Sequence, residues 1–235
     1  MSSISIVIPV YRDGDALART LDRTDRSRCE VIVAATDDDR ASRAAIRSRW
    51  PDVTWIESAR GRARQMNAGA AAAHGDWILF LHADTRLPRG WRQAIDDADR
   101  RGCAFGCFRF ALDSPRPIAR LIEAGVALRV RLLRLPYGDQ ALFVRRHVFE
   151  SMGGYADLPL MEDVEFVRRT PGRLFRSPLR AVTSARRWER DGWIRRSAVN
   201  VLLVARYFAG TDPNRLWQLY NTNHADQARG GHSQF

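Results

Sequence analysis

The stretch WILFLHADTRLPRGW, residues 77–91, decides how the chain is read. A short apolar run opens it. A histidine, an alanine and an aspartate follow, and then a proline turn. A brief run with no polar side chain is what a strand covered on both faces requires. Asp84 therefore stands just beyond the end of a buried strand, where open α/β sheets bind their ligands. Two readings of its carboxylate stay open. It binds a divalent cation that shares the oxygens of a ligand's diphosphate, or it caps the turn before Pro88.

Upstream of this stretch, strand and helix patterns alternate. Residues 5–10 are apolar and β-rich, with Pro9 near the end. Residues 14–24 have helical spacing, with Leu17 and Leu21 on one face. A strand over 29–35 leads into the acidic turn TDDD. A helix over 40–50 is stopped by Pro51, and a third strand spans 53–58. An alanine-rich helix starts after Gly61 and ends at Gly75, ahead of the strand at 77–81. This alternation predicts an α/β fold, with a mostly parallel, Rossmann-like central sheet and helices on both faces. It puts Tyr11, Asp37, Arg60 and Asp84 on one rim.

Downstream, the spacing predicts a strand over 103–112 and an amphipathic helix over 117–135 with arginine on its polar side. A strand over 140–146, a short helix over 147–155 and a helix opening with acids over 161–170 come next. A last helix spans Trp193–Phe208. The expected organisation is one domain over 1–220 in two subregions, to about residue 100 and from 101 to 220. The polar tail 221–235 is expected to be disordered.

The chain has 235 residues, 45% hydrophobic and 28% charged, and carries a net charge of +11. All its basic residues are arginine, whose planar fork suits phosphate and carboxylate. Cys29, Cys103 and Cys107 form no disulfide framework and no zinc pattern, which points to a reducing compartment. The N-terminus reads as a first strand and not as a signal peptide. No window reaches the roughly 18 apolar residues of a membrane span.

Four clusters carry possible chemistry, each with a bland alternative. Glu162, Asp163 and Glu165 are either a carboxylate group in which one member serves as a base or a solvated helix start. Arg60, Arg62 and Arg64 flank Gly61 at a helix start, as an anion site or an exposed basic turn. Arg186, Arg187 and Trp188 form a basic–aromatic cluster fit for an anionic leaving group. His82 is a metal neighbour or a polar strand end. There is no G-x-S-x-G, no P-loop and no G-x-G-x-x-G. Nucleotidyl transfer would call for a glycine-rich loop after the first strand, and VYRDGDAL is not one. Nucleic-acid binding lacks any module.

The order SIVIPVYRDGDAL, EVIVAATDDD, GRARQMNAGAAAAHGDWILFLHADTRLP, YGDQALFVRR, PLMEDVEFVRR and SARRWE resembles the family 2 glycosyltransferases of GT-A fold. It looks most like a small bacterial branch in which His-Ala-Asp stands for Asp-x-Asp. The resemblance implies a metal-dependent, inverting transfer of a sugar from a nucleotide-diphosphate sugar to an acceptor hydroxyl. It implies that Asp84 binds Mg²⁺ or Mn²⁺ and that Asp163 is the base. Pro9, Tyr11, Asp13, Asp37, Arg60, Gly61, Arg64, Asn67 and His82 would surround the donor. Asp139, Gln140 and Glu162 would line the acceptor or sugar side, and Arg187 and Trp188 the leaving group. His82 would meet a ribose hydroxyl. The partners expected are a nucleotide-sugar and a hydroxyl acceptor, a lipid-linked one among the candidates, without nucleic acid. Peripheral contact with the inner face of a membrane and a homodimer are the further expectations, in a cytoplasmic protein. The competing non-enzymatic reading is an arginine-rich domain that binds anionic surfaces.

Overall fold

The computed structural model describes residues 2–36 and 47–230, the last nine by their backbone. Asp37 and most of the helix expected over 40–50 lie outside the described residues. The described chain forms one eight-stranded sheet. Strands β1 (Ile4–Val10), β2 (Glu30–Thr36), β3 (Thr54–Ser58) and β4 (Trp77–Phe80) are parallel, in the order β3-β2-β1-β4. Helices α1 (Gly14–Arg23) and α2 (Arg62–Ala71) connect them.

Period-two alternation explains why helices cover both faces. Ile4, Ile6, Ile8 and Val10 of β1 pack with Leu17 and Leu21 of α1. Val7 between them packs on the other face, with Ala63, Met66 and Ala70 of α2. In β4, Trp77 and Leu79 join the first cluster, whereas Ile78 and Phe80 join the second. The unbroken apolar run in β4 is thus divided between two cores.

The second half extends the same sheet. It supplies α3 (Trp91–Arg100), β6 (Phe105–Leu112), α4 (Pro117–Leu133), a 3₁₀ turn (Gly138–Gln140), β7 (Phe143–Arg145) and α5 (Arg146–Ser151). Then come α6 (Glu162–Arg169), β8 (Leu174–Thr183), α7 (Arg186–Asp191), α8 (Trp193–Phe208) and α9 (Pro213–Gly230). Strand β7 inserts antiparallel between β4 and β6, and β8 runs parallel to β6. The two-residue β5 (Thr85–Arg86) pairs antiparallel with the end of β8.

Sequence patterning missed β8 and α3. In β8, Pro178 and two arginines, Arg176 and Arg180, interrupt any apolar alternation. The strand tolerates Pro178 because its register with β6 shifts between Cys107 and Arg109, so the ladder is already broken there. The backbone of α9 continues to Gly230, past Tyr220, where a disordered tail was expected; residues 231–235 lie outside the described part.

At Gly75, between α2 and β4, the backbone of β1 leaves no room for a side chain. A Cβ there would lie 2.6 Å from Ser5 N and 2.8 Å from Ile4 C. The Gly75 amide also donates to Ser5 Oγ at 2.8 Å. Backbone cannot move aside as a side-chain tip can. Gly75→Ala should therefore cost about 1–3 kcal/mol, read as a lower urea midpoint with an unchanged m-value.

Candidate active site

The His82–Ala83–Asp84 segment is held by its backbone. Each of its three carbonyls accepts a hydrogen bond from a different part of the chain. His82 O accepts from Thr85 N at 3.0 Å, and Asp84 O accepts from Ser184 N at 3.1 Å. Ala83 O accepts from Thr20 Oγ1 of α1 at 2.6 Å. Thr85 Oγ1 also meets Thr183 Oγ1 at 2.9 Å, which fixes the β5–β8 pairing beside Asp84. The segment is therefore rigid before any ligand arrives. The Asp84 carboxylate reaches Arg186 at 3.5 Å, not the backbone of the turn before Pro88.

Asp163 comes from the first turn of α6. Met161, in left-handed conformation at φ 68°, aims that turn. Such a conformation costs a non-glycine residue about 1 kcal/mol or more and persists where packing enforces it; Met161 is buried. Asp163 Oδ2 accepts from Gly138 N and Oδ1 from Val164 N, both at 2.8 Å. Gly138 is there because space is short: a Cβ would sit 2.8 Å from His82 Nε2. Ala141, with φ 47°, ends the same 3₁₀ turn.

These elements enclose a cavity of about 150 Å³. Its polar lining includes Arg62, His82, Asp84, Asp139, Asp163 and Arg187. Trp188 and the inner side of α8, from Arg196 to Val204, close it. Burial and the charges of Arg62 and Arg187 pull the His82 imidazolium down to about 3, so the ring is neutral at physiological pH. Burial pushes the Asp139 carboxyl up to about 6. Burial likewise raises Glu162, against the pull of Arg62.

Arg62 is the counter-charge. Its Nε bonds Glu162 Oε1, and its Nη2 stands 4.0 Å from Asp163 Oδ2. The Glu162 side chain is 2% exposed and that of Arg62 39%. Glu162 thus holds Arg62 from below and does not line the cavity. Arg62 was singled out in the sequence only as one of three arginines; the signal that marks it is its contact with the Glu-Asp pair.

Several other expected donor and acceptor residues are engaged elsewhere. Asn67 exchanges both amide bonds with the Tyr155 backbone, at 2.8 and 2.9 Å. Arg64 makes a bidentate pair with exposed Asp157. Buried Gln140 donates to Phe108 O at 3.0 Å and accepts from Tyr137 N. Asp13 is bound bidentately by Arg186, which therefore links it to Asp84. On the outer rim, Arg60 lies 4.6 Å over the Tyr11 ring. Gly61, with φ 137°, caps α2, and Pro9 is half-buried in β1. Sequence reading missed Gln65, whose Nε2 donates to Val10 O at 2.7 Å and Ala34 O at 2.8 Å. It clamps the ends of β1 and β2.

The family model for glycosyl transferase family 2 matches residues 5–156, most of the chain. The chain belongs to glycosyl transferase family 2. This member also resembles solved structures of S. aureus TarS 1-349. With the complex containing UDP-GlcNAc the identity is 13% and the TM-score 0.61, over 77% of this chain and 58% of that one. With the UDP complex the values are 13% and 0.60, over 77% and 60%. With a third TarS 1-349 structure they are 12% and 0.62, over 86% and 64%. The chain thus spans about three-fifths of those TarS chains, and at such identity the likeness concerns the fold. No curated protein matches the chain.

Two outcomes test the charge balance. Arg62→Ala leaves Glu162 buried and unpaired, and should cost roughly 3 kcal/mol; adding Glu162→Leu should recover most of it. Chemical denaturation of the two variants checks this. The second concerns pH. The Asp139 carboxyl binds its proton more tightly folded than unfolded, so its contribution to stability falls as pH rises from about 4 to about 6. Asp139→Asn should gain stability relative to the native chain across that window. Urea midpoints at several pH values, with chelator present, read the difference. The opposite slope of His82 is common to both proteins and cancels.

Proposed function

We propose that this chain transfers a sugar from a nucleotide-diphosphate sugar to an acceptor hydroxyl, by a metal-dependent single displacement with inversion. One observation carries the reading. Three buried polar atoms on cavity residues lack any hydrogen-bond partner: Asp139 Oδ1, Trp188 Nε1 and Arg196 Nε. Buried polar groups are otherwise nearly always paired. Here an acceptor and two donors await a ligand rich in hydroxyls, each of which both donates and accepts. A sugar has that chemistry, and the size of the cavity fits part of one.

A cation fits this site on one condition. Among the described residues, no group of three or more His, Cys, Asp or Glu could hold a metal by itself. Asp84 is the carboxylate we assign to the cation, so the diphosphate would bring most of the remaining oxygens, as Mg²⁺ and Mn²⁺ commonly require. The cation would neutralise charge on the departing nucleoside diphosphate.

The protein groups do the rest. Asp163 is oriented by two backbone amides and keeps a lone pair on each oxygen for the acceptor proton. Arg186 and Arg187 supply fixed positive charge beside Asp84 on the leaving side. His82, neutral, can accept from or donate to a hydroxyl without adding charge. The UDP and UDP-GlcNAc bound in the TarS structures favour a nucleotide-sugar donor.

Asp163→Asn should lower transfer by roughly 10²–10⁴-fold while donor affinity stays near native. Asp84→Asn should weaken Mn²⁺-dependent donor binding on the order of 10–100-fold. Calorimetry with a panel of nucleotide-sugars, plus turnover assays, separates the two. Normal transfer by the Asp163 variant would sink the base assignment.

A further inference from the structure

Among the described residues, the large hydrophobic side chains left exposed all belong to two helices. Leu121, Leu128, Leu132 and Leu133 lie on α4, and Ile194, Val201, Leu202 and Phe208 on α8. Leu121 is 73% exposed and Ile194 77%. On α4, exposed Leu121, Ala124, Gly125, Leu128 and Leu132 recur every three or four residues. Exposed Ile194, Ala198, Val201, Leu202 and Ala205 do the same on α8. Each helix therefore has a second apolar stripe besides the one it packs inward. The two helices touch one another.

The charges carried by these two helices are almost all of one sign. Helix α8 contains no acidic residue, and the sole acid of α4 is Glu123. Glu123 is buried, its carboxylate held by Leu112 N, Arg120 and Arg180. Asp113, just ahead of α4, accepts from Ala185 N. Arginines 131 and 206 are exposed among the leucines and have no ion pair among the described residues, and Arg168 stacks 4.8 Å over Phe208. A second copy seated here by two-fold symmetry would bring arginine to arginine with no carboxylate between them. An anionic lipid surface supplies the opposite charge and an apolar layer together.

We infer that α4 and α8 form a docking face for the surface of an anionic phospholipid bilayer. The face lies on the membrane and does not cross it, since no described helix is long and apolar enough to do so. It also has a fixed relation to the cavity. Helix α8 presents Asn200, Leu203 and Val204 inward to the cavity and Val201 and Leu202 outward. A docked chain would hold its cavity one helix diameter, roughly 10 Å, from the lipid surface. If the proposed transfer holds, an acceptor on a lipid phosphate would be within reach there; the docking face itself does not depend on that reading.

Co-sedimentation of the full chain with vesicles tests the face without any donor or acceptor. The protein should pellet with phosphatidylcholine vesicles that contain phosphatidylglycerol, remain in solution with pure phosphatidylcholine, and release as salt is raised. Leu132→Asp with Leu202→Asp should lower partition by roughly tenfold or more. Arg131→Glu with Arg206→Glu should do the same for the anionic vesicles alone. These positions are exposed, so both variants should keep the native melting temperature. A native protein that stays in the supernatant with anionic vesicles at low salt overturns the inference. So does leucine-variant binding equal to native, or a native dimer, seen by light scattering, that the leucine substitutions split into monomers. Loss of transfer in the Asp163 variant has no bearing on sedimentation, so each idea can fail alone.

Discussion

The guanidinium of Arg62 meets carboxylates that the chain supplies a hundred residues later, Glu162 and Asp163. A pair of this kind adds little net stability, because the buried Glu162 carboxylate loses its water to make it. What it enforces is geometry. Glu162 is too deep to ionise without a partner, and Arg62 stands at the start of α2 only because Gly61 turns the chain there. The first turn of α6 is thus fixed against the parallel half of the sheet. Asp163 inherits its place from that contact, from Gly138 N, and from the left-handed Met161.

The opposing wall is set by different means. Backbone carbonyls hold the His82–Asp84 segment, beside the 3.5 Å contact of the Asp84 carboxylate with Arg186. Thr20 and Ser184 approach it from α1 and from the end of β8, and Thr85 closes its turn. Side chains at that segment are therefore spared for ligands. Arg186 adds a mobile-length counter-charge between Asp13 and Asp84. A diphosphate-bound cation and Arg186 would compete for the same carboxylate, which makes the arginine a natural partner for the phosphates once the cation is in place.

The parallel half of the fold was legible because each strand there is a short apolar run and each helix has a clear face. Its two cores can be read from the alternation in β1 alone. The antiparallel additions were less legible. Strand β7 is three residues long, and β8 carries arginines and a proline at positions that solvent or a bulge accommodates. At the site, the meeting of Asp84 with Asp163 could be anticipated only through the resemblance, since nothing local to either residue records the other. Asn67 and Gln140 were hard to place for a related reason. Amides suit ligands and backbone equally well, and only the fold shows that Tyr155, Phe108 and Tyr137 claim them here. Gln65 and Arg62 act across tens of residues and leave no mark in a local pattern.

Strand β7 has a consequence for how the molecule comes apart. It joins β4 to β6, and so completes the hydrogen-bond ladder between the four parallel strands and the remainder of the sheet. Its first residue, Phe143, is fully buried and packs against Trp77, Phe108 and Phe175. Neither half can open a free sheet edge there without exposing this aromatic cluster. The chain should accordingly lose its two halves in one cooperative event, and amide hydrogen exchange along β7 should report the free energy of global unfolding, not of local fraying.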